Sequence, residues 1–129
     1  MIGIFLVTHA TLGESLIQCA CHVLNKRPAQ IAQLGVSAQD DPLDILPLAR
    51  SMLGWVDSGD GVLLLTDIYG ATPSNIAAKL AVPDKAELVA GVNLPMLLRV
   101  LTYRDRDMQT LVKRAVAGAC DGVLHVAHD

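Results

Sequence analysis

The sequence predicts an α/β fold: a single doubly wound domain with an open, mainly parallel four-stranded sheet flanked by helices. Four short runs of apolar residues are nearly continuous, as is typical of parallel strands covered on both faces. Segments with helical periodicity lie between these runs, and strands that alternate with helices indicate βαβ units. The chain has 129 residues, 52% of them hydrophobic, which is enough for one core and for one domain over 1–129.

The first half of the chain contains two strand–helix pairs. The first pair is a strand over Ile2–Thr8 and a helix over Leu12–Leu24. The second pair is a strand over Ile31–Val36 and a helix over roughly Leu43–Val56. We expect Pro47 to kink or delay this second helix, because a proline inside a helix removes a backbone hydrogen bond.

The second half continues the alternation. The third strand is predicted over Val62–Thr66, the third helix over Pro73–Leu80, and the fourth strand over Glu87–Val92. Turn residues separate these elements at Ser58–Gly61 and at Pro83–Asp84. The rest of the chain is predicted to form, in order, a helical turn, a helix and a last apolar strand: Leu94–Leu101, Asp107–Ala117 and Gly122–Ala127.

Composition argues against several classes of function. Aromatic residues make up 3% of the chain, too few for a surface that stacks single-stranded nucleic acid. The formal net charge is −3 and there is no long basic run, which disfavours binding to nucleic-acid phosphates. No targeting segment is visible, and the apolar region 88–98 is too short to span a bilayer, so we expect a cytoplasmic protein. The odd number of cysteines favours reduced thiols over a disulfide framework.

Two segments that follow predicted strands carry the candidate chemistry. Thr8-His9-Ala10-Thr11 follows the first strand, and the segment from Asp67 to Asn75 follows the third. In open α/β sheets, sites form beyond the carboxyl ends of the strands, where the strand order reverses. If the first and third strands are neighbours, His9 and Asp67 therefore project into one crevice.

A paired histidine and aspartate have a clear chemical use. Asp67 can accept a hydrogen bond from one ring nitrogen of His9, which fixes the tautomer and leaves the other nitrogen free to attack phosphorus. A nearby carboxylate also offsets positive charge on the ring as a phosphoryl group arrives. Phosphoryl transfer depends mainly on such positioning and charge stabilisation.

The second segment has the residues of an anion-binding helix start. Thr72 is predicted as the N-cap and Pro73 as the first helical residue, while Gly70 lets the backbone approach a ligand closely. Unpaired amides here, and at the helix that follows Thr11, form candidate phosphate sites. From these residues alone, phosphotransfer, hydrolysis and simple anion binding all remain open.

Other constellations are weaker. Cys19 and Cys21, followed by His22, point in different directions on a helix and do not converge on a metal. His125, with His128 and Asp129, is better explained as a frayed tail than as a metal site. No metal and no cofactor are therefore predicted.

The sequence gives little support to two further classes of enzyme. Ser74 or Ser15 could form a hydrolase triad with His9 and Asp67, but no Gly-x-Ser-x-Gly elbow presents either serine. The chain also has neither a P-loop motif nor a dinucleotide fingerprint.

Two other segments have open interpretations. Asn93 could line the crevice after the fourth strand. The mixed-charge run 103–107 is interpreted as a solvated loop, with a partner-docking rim as the alternative.

Three stretches together resemble the IIA domain of the mannose family of the phosphoenolpyruvate:sugar phosphotransferase system (PTS). They are Val7-Thr8-His9, then Thr66-Asp67 with Gly70-Ala71-Thr72-Pro73-Ser74-Asn75, and finally the run 91–97, Gly-Val-Asn-Leu-Pro-Met-Leu. The resemblance runs through nearly the whole chain. It implies a homodimer whose C-terminal strands are exchanged, with peripheral association to a membrane transporter only through partners.

The resemblance also implies roles for the site residues. It makes His9 the residue that is phosphorylated by the carrier HPr, Asp67 its orienting partner, and Thr72 part of the phosphate cradle. Gly70, Ala71 and Thr11 are the other candidate phosphate-binding residues. The phosphoryl group then passes to a IIB component and on to a sugar. Two alternatives stay open: a phosphorylation-dependent regulator without transport, and the phosphocarrier domain that serves dihydroxyacetone kinase.

Two positions depart from the family pattern. Ala71 stands where the family often has a second glycine, and close backbone approach in the phosphate loop should survive this change. Arg99 stands where an acidic residue is common, which can alter recognition of HPr or IIB.

Overall fold

The fold is a four-stranded parallel sheet between two layers of helices, seen in a computed structural model that describes residues 1–127. The α/β prediction is confirmed. The elements, in chain order, are β1 (Gly3–His9), α1 (Leu12–Leu24), β2 (Ile31–Val36), α2 (Pro42–Val56), β3 (Val62–Thr66), α3 (Thr72–Leu80), β4 (Ala86–Ala90), α4 (Leu94–Tyr103) and α5 (Met108–Asp121).

The strand order in the sheet is β2-β1-β3-β4, with every neighbouring pair parallel. From β1 the chain first adds β2 on one side, then crosses to the other side to add β3 and β4. The order therefore reverses between β1 and β3, as the sequence analysis required, and Val7 pairs with Thr66 there.

Each face of the sheet buries its own aliphatic cluster, because successive side chains of a strand point to opposite faces. In β1, Ile4 and Leu6 join α1, α4 and α5 on one face. Phe5 and Val7 join α2 and α3 on the other. The central strands β1 and β3 are covered on both sides, which explains their continuous apolar sequence.

The second helix tests one half of the expectation for Pro47, namely that this proline delays the helix. Pro47 lies inside α2, and the helix is not delayed, because it begins at Pro42. Asp41 caps this start, since its Oδ1 accepts a hydrogen bond from the Leu43 amide at 2.9 Å. Pro42 occupies the first turn, where a missing N–H costs nothing.

The region after β4 is more helical than predicted. The expected turn near 94–101 is a complete helix, α4, capped by Asn93, and α5 continues to Asp121. Residues 123–127 lie in no strand of the single chain, so the last strand does not form within it. A strand exchanged with a second copy stays a prediction. None of the helices formed by residues 1–127 has the length and apolar character that crossing a membrane demands.

The mixed-charge run 103–107 is not simply a solvated loop. Arg104 is buried, and its guanidinium donates hydrogen bonds to three backbone carbonyls. The other charged residues of the run are exposed. The sequence interpretation was therefore wrong at Arg104, since charge pattern alone does not reveal a cation that is buried against carbonyl groups.

Candidate active site at the carboxyl end of the sheet

His9 and Asp67 meet where β1 and β3 end. His9 is the last residue of β1, and Asp67 directly follows β3. His9 Nδ1 lies 2.7 Å from Asp67 Oδ2, and the His9 amide donates to the same oxygen at 3.0 Å. The crevice predicted from the strand order thus brings the two side chains into direct contact.

Asp67 is held in place from several directions. Its Oδ1 accepts a hydrogen bond from the Ile68 amide at 3.1 Å, and its side chain is only 13% exposed. Burial, the largest single influence, raises the pKa of Asp67, but the hydrogen bonds from the backbone and ring of His9 act against it. The net result is a pKa below its ordinary value, so Asp67 is a carboxylate at neutral pH.

The carboxylate determines the tautomer of His9. An ionised carboxylate only accepts hydrogen bonds, so the proton of this contact belongs to Nδ1 of His9. In the neutral ring, Nε2 then carries the free lone pair. The His9 side chain is 51% exposed, so the ring is open to an incoming group.

The connection from β1 to α1 depends on two glycines that the sequence analysis did not single out. Ala10 adopts a left-handed φ of 48°, and its carbonyl runs so close to Gly35 that a Cβ there would lie 2.0 Å from the oxygen. Gly13 donates its amide to the buried Thr8 Oγ1 at 2.9 Å, which ties the start of α1 to the end of β1. A glycine inside a strand, as at Gly35, is the sequence signal for such a close backbone approach.

The segment after Asp67 ends in a helix start with free amides. Gly70 adopts a φ of +87°, which favours glycine. The Asn75 amide already donates to Ala71 O at 3.0 Å, whereas the amides of Thr72 and Ser74 precede it and have no intrahelical acceptor. Amides in this position are the kind that bind anions, so a phosphate site here stays a prediction.

The predicted N-cap of α3 was wrong by one residue. Ala71 holds the N-cap position, and Thr72 is the first helical residue. No side chain caps this helix, because alanine has no acceptor to offer. Thr72 is exposed, and its hydroxyl is not used in capping, which leaves it available to a ligand.

Thr11 and Asn93 differ in what they offer. Thr11 is exposed at the N-cap of α1 and makes no side-chain capping bond. Asn93 Oδ1 accepts from the Met96 amide at 2.9 Å, and its Nδ2 donates to Ala119 O at 3.3 Å. Asn93 therefore joins the start of α4 to α5, and its place in the crevice stays a prediction.

The competing constellations do not assemble within residues 1–127. Ser74 is buried and Ser15 lines a separate cleft on α1, and neither bonds to His9. Cys19 is exposed in the same cleft, while Cys21 packs against the core. No three potential metal ligands come together in this part of the chain. His128 and Asp129 lie outside the described residues.

The departure at Arg99 has an intramolecular explanation. Its side chain packs over Gly118, where an added Cβ would lie 2.7 Å from the Cβ of Arg99. Its Nη2 lies 3.5 Å from Asp121 Oδ2, so the ion pair joins α4 to the end of α5.

A family model described as "PTS system fructose IIA component" matches residues 3–116. The chain belongs to the mannose-type IIA family of the phosphotransferase system. The resemblance found in the sequence is thereby confirmed, and proteins of this family are phosphotransferase components.

Individual relatives agree with the family assignment. This IIA chain is 30% identical over 125 residues to the PTS system mannose-specific EIIAB component of Escherichia coli (strain K12), covering 95% of this chain and 38% of that protein. It thus spans less than two fifths of that relative's length. A shorter stretch of 45 residues, 34% of this chain and 31% of the relative, is 51% identical to the fructose-specific EIIA component of Bacillus subtilis (strain 168).

Solved structures share the fold. The phosphotransferase system component EIIA from Streptococcus agalactiae has a TM-score of 0.85 at 20% identity, covering 97% of both chains. The mannose/sorbose specific IIA subunit from Enterococcus faecalis has a TM-score of 0.85 at 19% identity, covering 99% of this chain and 96% of that one. These likenesses confirm the doubly wound α/β architecture.

Proposed function

We propose that this IIA chain is a phosphohistidine carrier, which accepts a phosphoryl group from HPr on His9 and passes it to a IIB component for sugar uptake. The observation that carries the proposal is the 2.7 Å contact between His9 Nδ1 and Asp67 Oδ2, on a ring that is half exposed. This arrangement leaves Nε2 as the nucleophile and directs it outward.

The transfer needs no general base, because His9 Nε2 attacks with a free lone pair and has no proton to lose. The lone pair of His9 Nε2 attacks the phosphorus, and the phosphorus–nitrogen bond to the histidine of HPr breaks, leaving its electron pair on that ring. The proton on His9 Nδ1 stays in place, hydrogen-bonded to Asp67. Asp67 thereby stabilises the positive charge that the ring gains, and the same step in reverse delivers the group to IIB.

The surrounding donors suit the phosphoryl oxygens. The free amides of Thr72 and Ser74, with the dipole of α3, favour negative charge at the crevice. Gly70 and Ala71 shape the approach to these amides, and the hydroxyls of Thr72 and Thr11 are further donors. These amides and hydroxyls would stabilise the negative charge that spreads over the three equatorial phosphoryl oxygens in the transition state.

The surface around His9 suits proteins as donor and acceptor. Leu12, Ile68 and Tyr69 are exposed apolar side chains in the segments that directly follow β1 and β3. An apolar patch around an open ring favours docking of another protein over capture of a small substrate.

Labelling tests the carrier role directly. Phosphoenolpyruvate carrying labelled phosphate, with enzyme I and HPr, should place acid-labile, base-stable label on the wild-type chain. His9→Ala should remove the label entirely, because the nucleophile is lost. His22→Ala is the matched control, since His22 is an exposed histidine on α1 away from the crevice, and this variant should label normally.

Two results would contradict the proposal. Normal labelling of His9→Ala would assign the phosphoryl group to another residue. No labelling of wild type, with HPr itself fully phosphorylated, would mean that the fold serves another purpose.

Transfer of label from wild type to a IIB protein, but not to dihydroxyacetone kinase, would distinguish the two possible acceptors.

We also propose that the chain forms a cytoplasmic homodimer by exchange of its C-terminal segment. Val123, Leu124 and Val126 are exposed apolar side chains in a segment without secondary structure. Strand β4 is an edge of the sheet, with unpaired backbone groups on its outer side. Pairing of residues 123–127 with β4 of a second copy would cover both.

A further inference from the structure

A second cleft lies at the amino end of the sheet, opposite His9. It has a volume of about 300 Å³ and is lined by Arg104, by Lys26, Arg27 and Pro28 before β2, and by Leu24 and Leu101. Strand β1 has seven residues at about 3.3 Å each, so the two ends of the sheet are roughly 20 Å apart. The cleft is therefore separate from the phosphoryl-transfer crevice.

Arg104 is a buried cation without a carboxylate partner. Only 5% of the residue is exposed, and no carboxylate of residues 1–127 lies within 4 Å of its guanidinium. It donates to the carbonyls of Ile2, Ala29 and Gln30 at 3.0, 2.6 and 2.8 Å. A guanidinium has five N–H donors, and these bonds use three of them. Burial lowers the pKa of Arg104, which reflects the cost of a desolvated cation, while the charge of Asp105 raises it.

The same arginine organises the loop that carries the other two cations. Two of its three bonds reach Ala29 and Gln30, which close the loop containing Lys26 and Arg27. That loop is further fixed by a bond from the Lys26 amide to Cys21 O at 3.2 Å. The backbone of this loop is thus fixed beside Arg104, and the Lys26 and Arg27 side chains extend from it as exposed cations on the same cleft.

The charge of this cleft is one-sided. Three cationic side chains line it and no aspartate or glutamate does. A neighbouring cleft, which contains Arg104 and Arg106, is also lined by Asp60, Asp105 and Asp107, so its charge is mixed. The remaining walls of the cationic cleft are apolar, from Leu24, Pro28 and Leu101.

We infer that this cleft binds a small organic phosphate, with its phosphate on Arg104, Lys26 and Arg27 and its carbon skeleton against the apolar wall. Three positive charges match a phosphate dianion better than a single carboxylate, and arginine suits phosphate geometry. The cleft volume is that of a small metabolite site. The inference does not depend on phosphorylation of His9.

A nuclear magnetic resonance titration tests the inference with the ¹⁵N-labelled chain and glucose 6-phosphate as the probe. Saturable amide shifts are expected in 24–30 and 101–106, and none with neutral glucose. Lys26→Gln with Arg27→Gln should weaken binding roughly tenfold, since two charge-assisted contacts are lost. Arg50→Gln with Lys79→Gln is the charge-matched control, at exposed residues outside the cleft, and should bind like wild type.

Several results would overturn the inference. They are the absence of saturable shifts, equal binding of glucose, and unchanged affinity of the Lys26→Gln, Arg27→Gln double variant. Shifts confined to 9–13 and 67–75 would place the anion at the crevice instead. A titration of His9→Ala separates this test from the proposed function, because binding at the cleft should persist in that variant.

Discussion

At the scale of single residues, the hydrogen bonds of Asp67 bear both on the stability of the fold and on the chemistry of His9. One carboxylate oxygen accepts from both the backbone and the ring of His9, and the other accepts from Ile68. In Asp67→Asn, the amide NH₂ would face an N–H donor in either orientation. We therefore expect this variant to fold, to lose about 1–2 kcal/mol of stability at neutral pH, and to transfer phosphate more slowly than wild type.

The pH dependence of that loss follows from the pKa of Asp67. Because this pKa is lowered in the folded state from its ordinary value of 3.8, the carboxylate stabilises the fold fully above that value. The contribution disappears as the pH falls through the folded pKa. The difference between wild type and Asp67→Asn in urea unfolding should thus shrink between about pH 5 and pH 2.

A control and a contrary result sharpen this measurement. Asp44→Asn changes an exposed carboxylate and should alter stability by no more than about 0.5 kcal/mol. A stability difference for Asp67→Asn that stays constant down to about pH 2 would show that the carboxylate charge is not what stabilises the site.

How much of the site was predictable also differs from residue to residue. His9 and Asp67 were found from sequence, because chemistry-bearing residues at the ends of adjacent parallel strands need only the strand order to meet. The capping contact of Thr8 and the role of Gly35 were not found. They depend on how closely two backbone segments approach each other, which residue types alone do not specify.

At the scale of elements, the buried strands and α1 were predicted well. The predicted bounds of β2, β3 and α1 agree with the structure, because continuous aliphatic runs and a strong amphipathic pattern leave few alternatives. Errors fell where a local preference is overridden by neighbours. Thr72 prefers the N-cap, yet Ala71 takes it, and Pro47 disfavours a helix interior, yet packing of Ala49 and Val56 holds α2 together.

That conflict in α2 gives a stability prediction. Pro47→Ala would restore the hydrogen bond from residue 47 to the carbonyl of Leu43 and remove the clash of the proline ring. The greater freedom of the unfolded chain offsets part of this gain, so we expect about 1 kcal/mol of stabilisation, seen as a higher urea midpoint. Pro42→Ala is the control within the same helix and should not stabilise, because Pro42 suits the first turn. A lower midpoint for Pro47→Ala would mean that the proline does not disturb the helix.

At the scale of the whole molecule, the two ends of the sheet differ in their exposure and in their contacts. The carboxyl end is open, with a half-exposed His9 and flanking apolar side chains that suit transient protein docking. At the amino end, Arg104 joins the end of α4 to the starts of β1 and β2 through carbonyl groups. Arg104 therefore anchors β1 and β2 at the end of the sheet opposite His9.

The exposed C-terminal segment and the free edge of β4 lead to a prediction about assembly. Sedimentation equilibrium or light scattering should give twice the 13.7 kDa of one chain. In the proposed dimer, the apolar side chains of 123–127 are buried against the second copy. Val123→Asp with Leu124→Asp replaces two of them with charged side chains, so this double variant should be a monomer. Leu43→Asp, which changes an equally exposed leucine on α2, should remain a dimer.

A wild-type monomer at micromolar concentration, or a dimer that survives the double substitution, would refute strand exchange. The monomeric variant should still be labelled at His9, since the contacts of His9 and Asp67 lie within one chain.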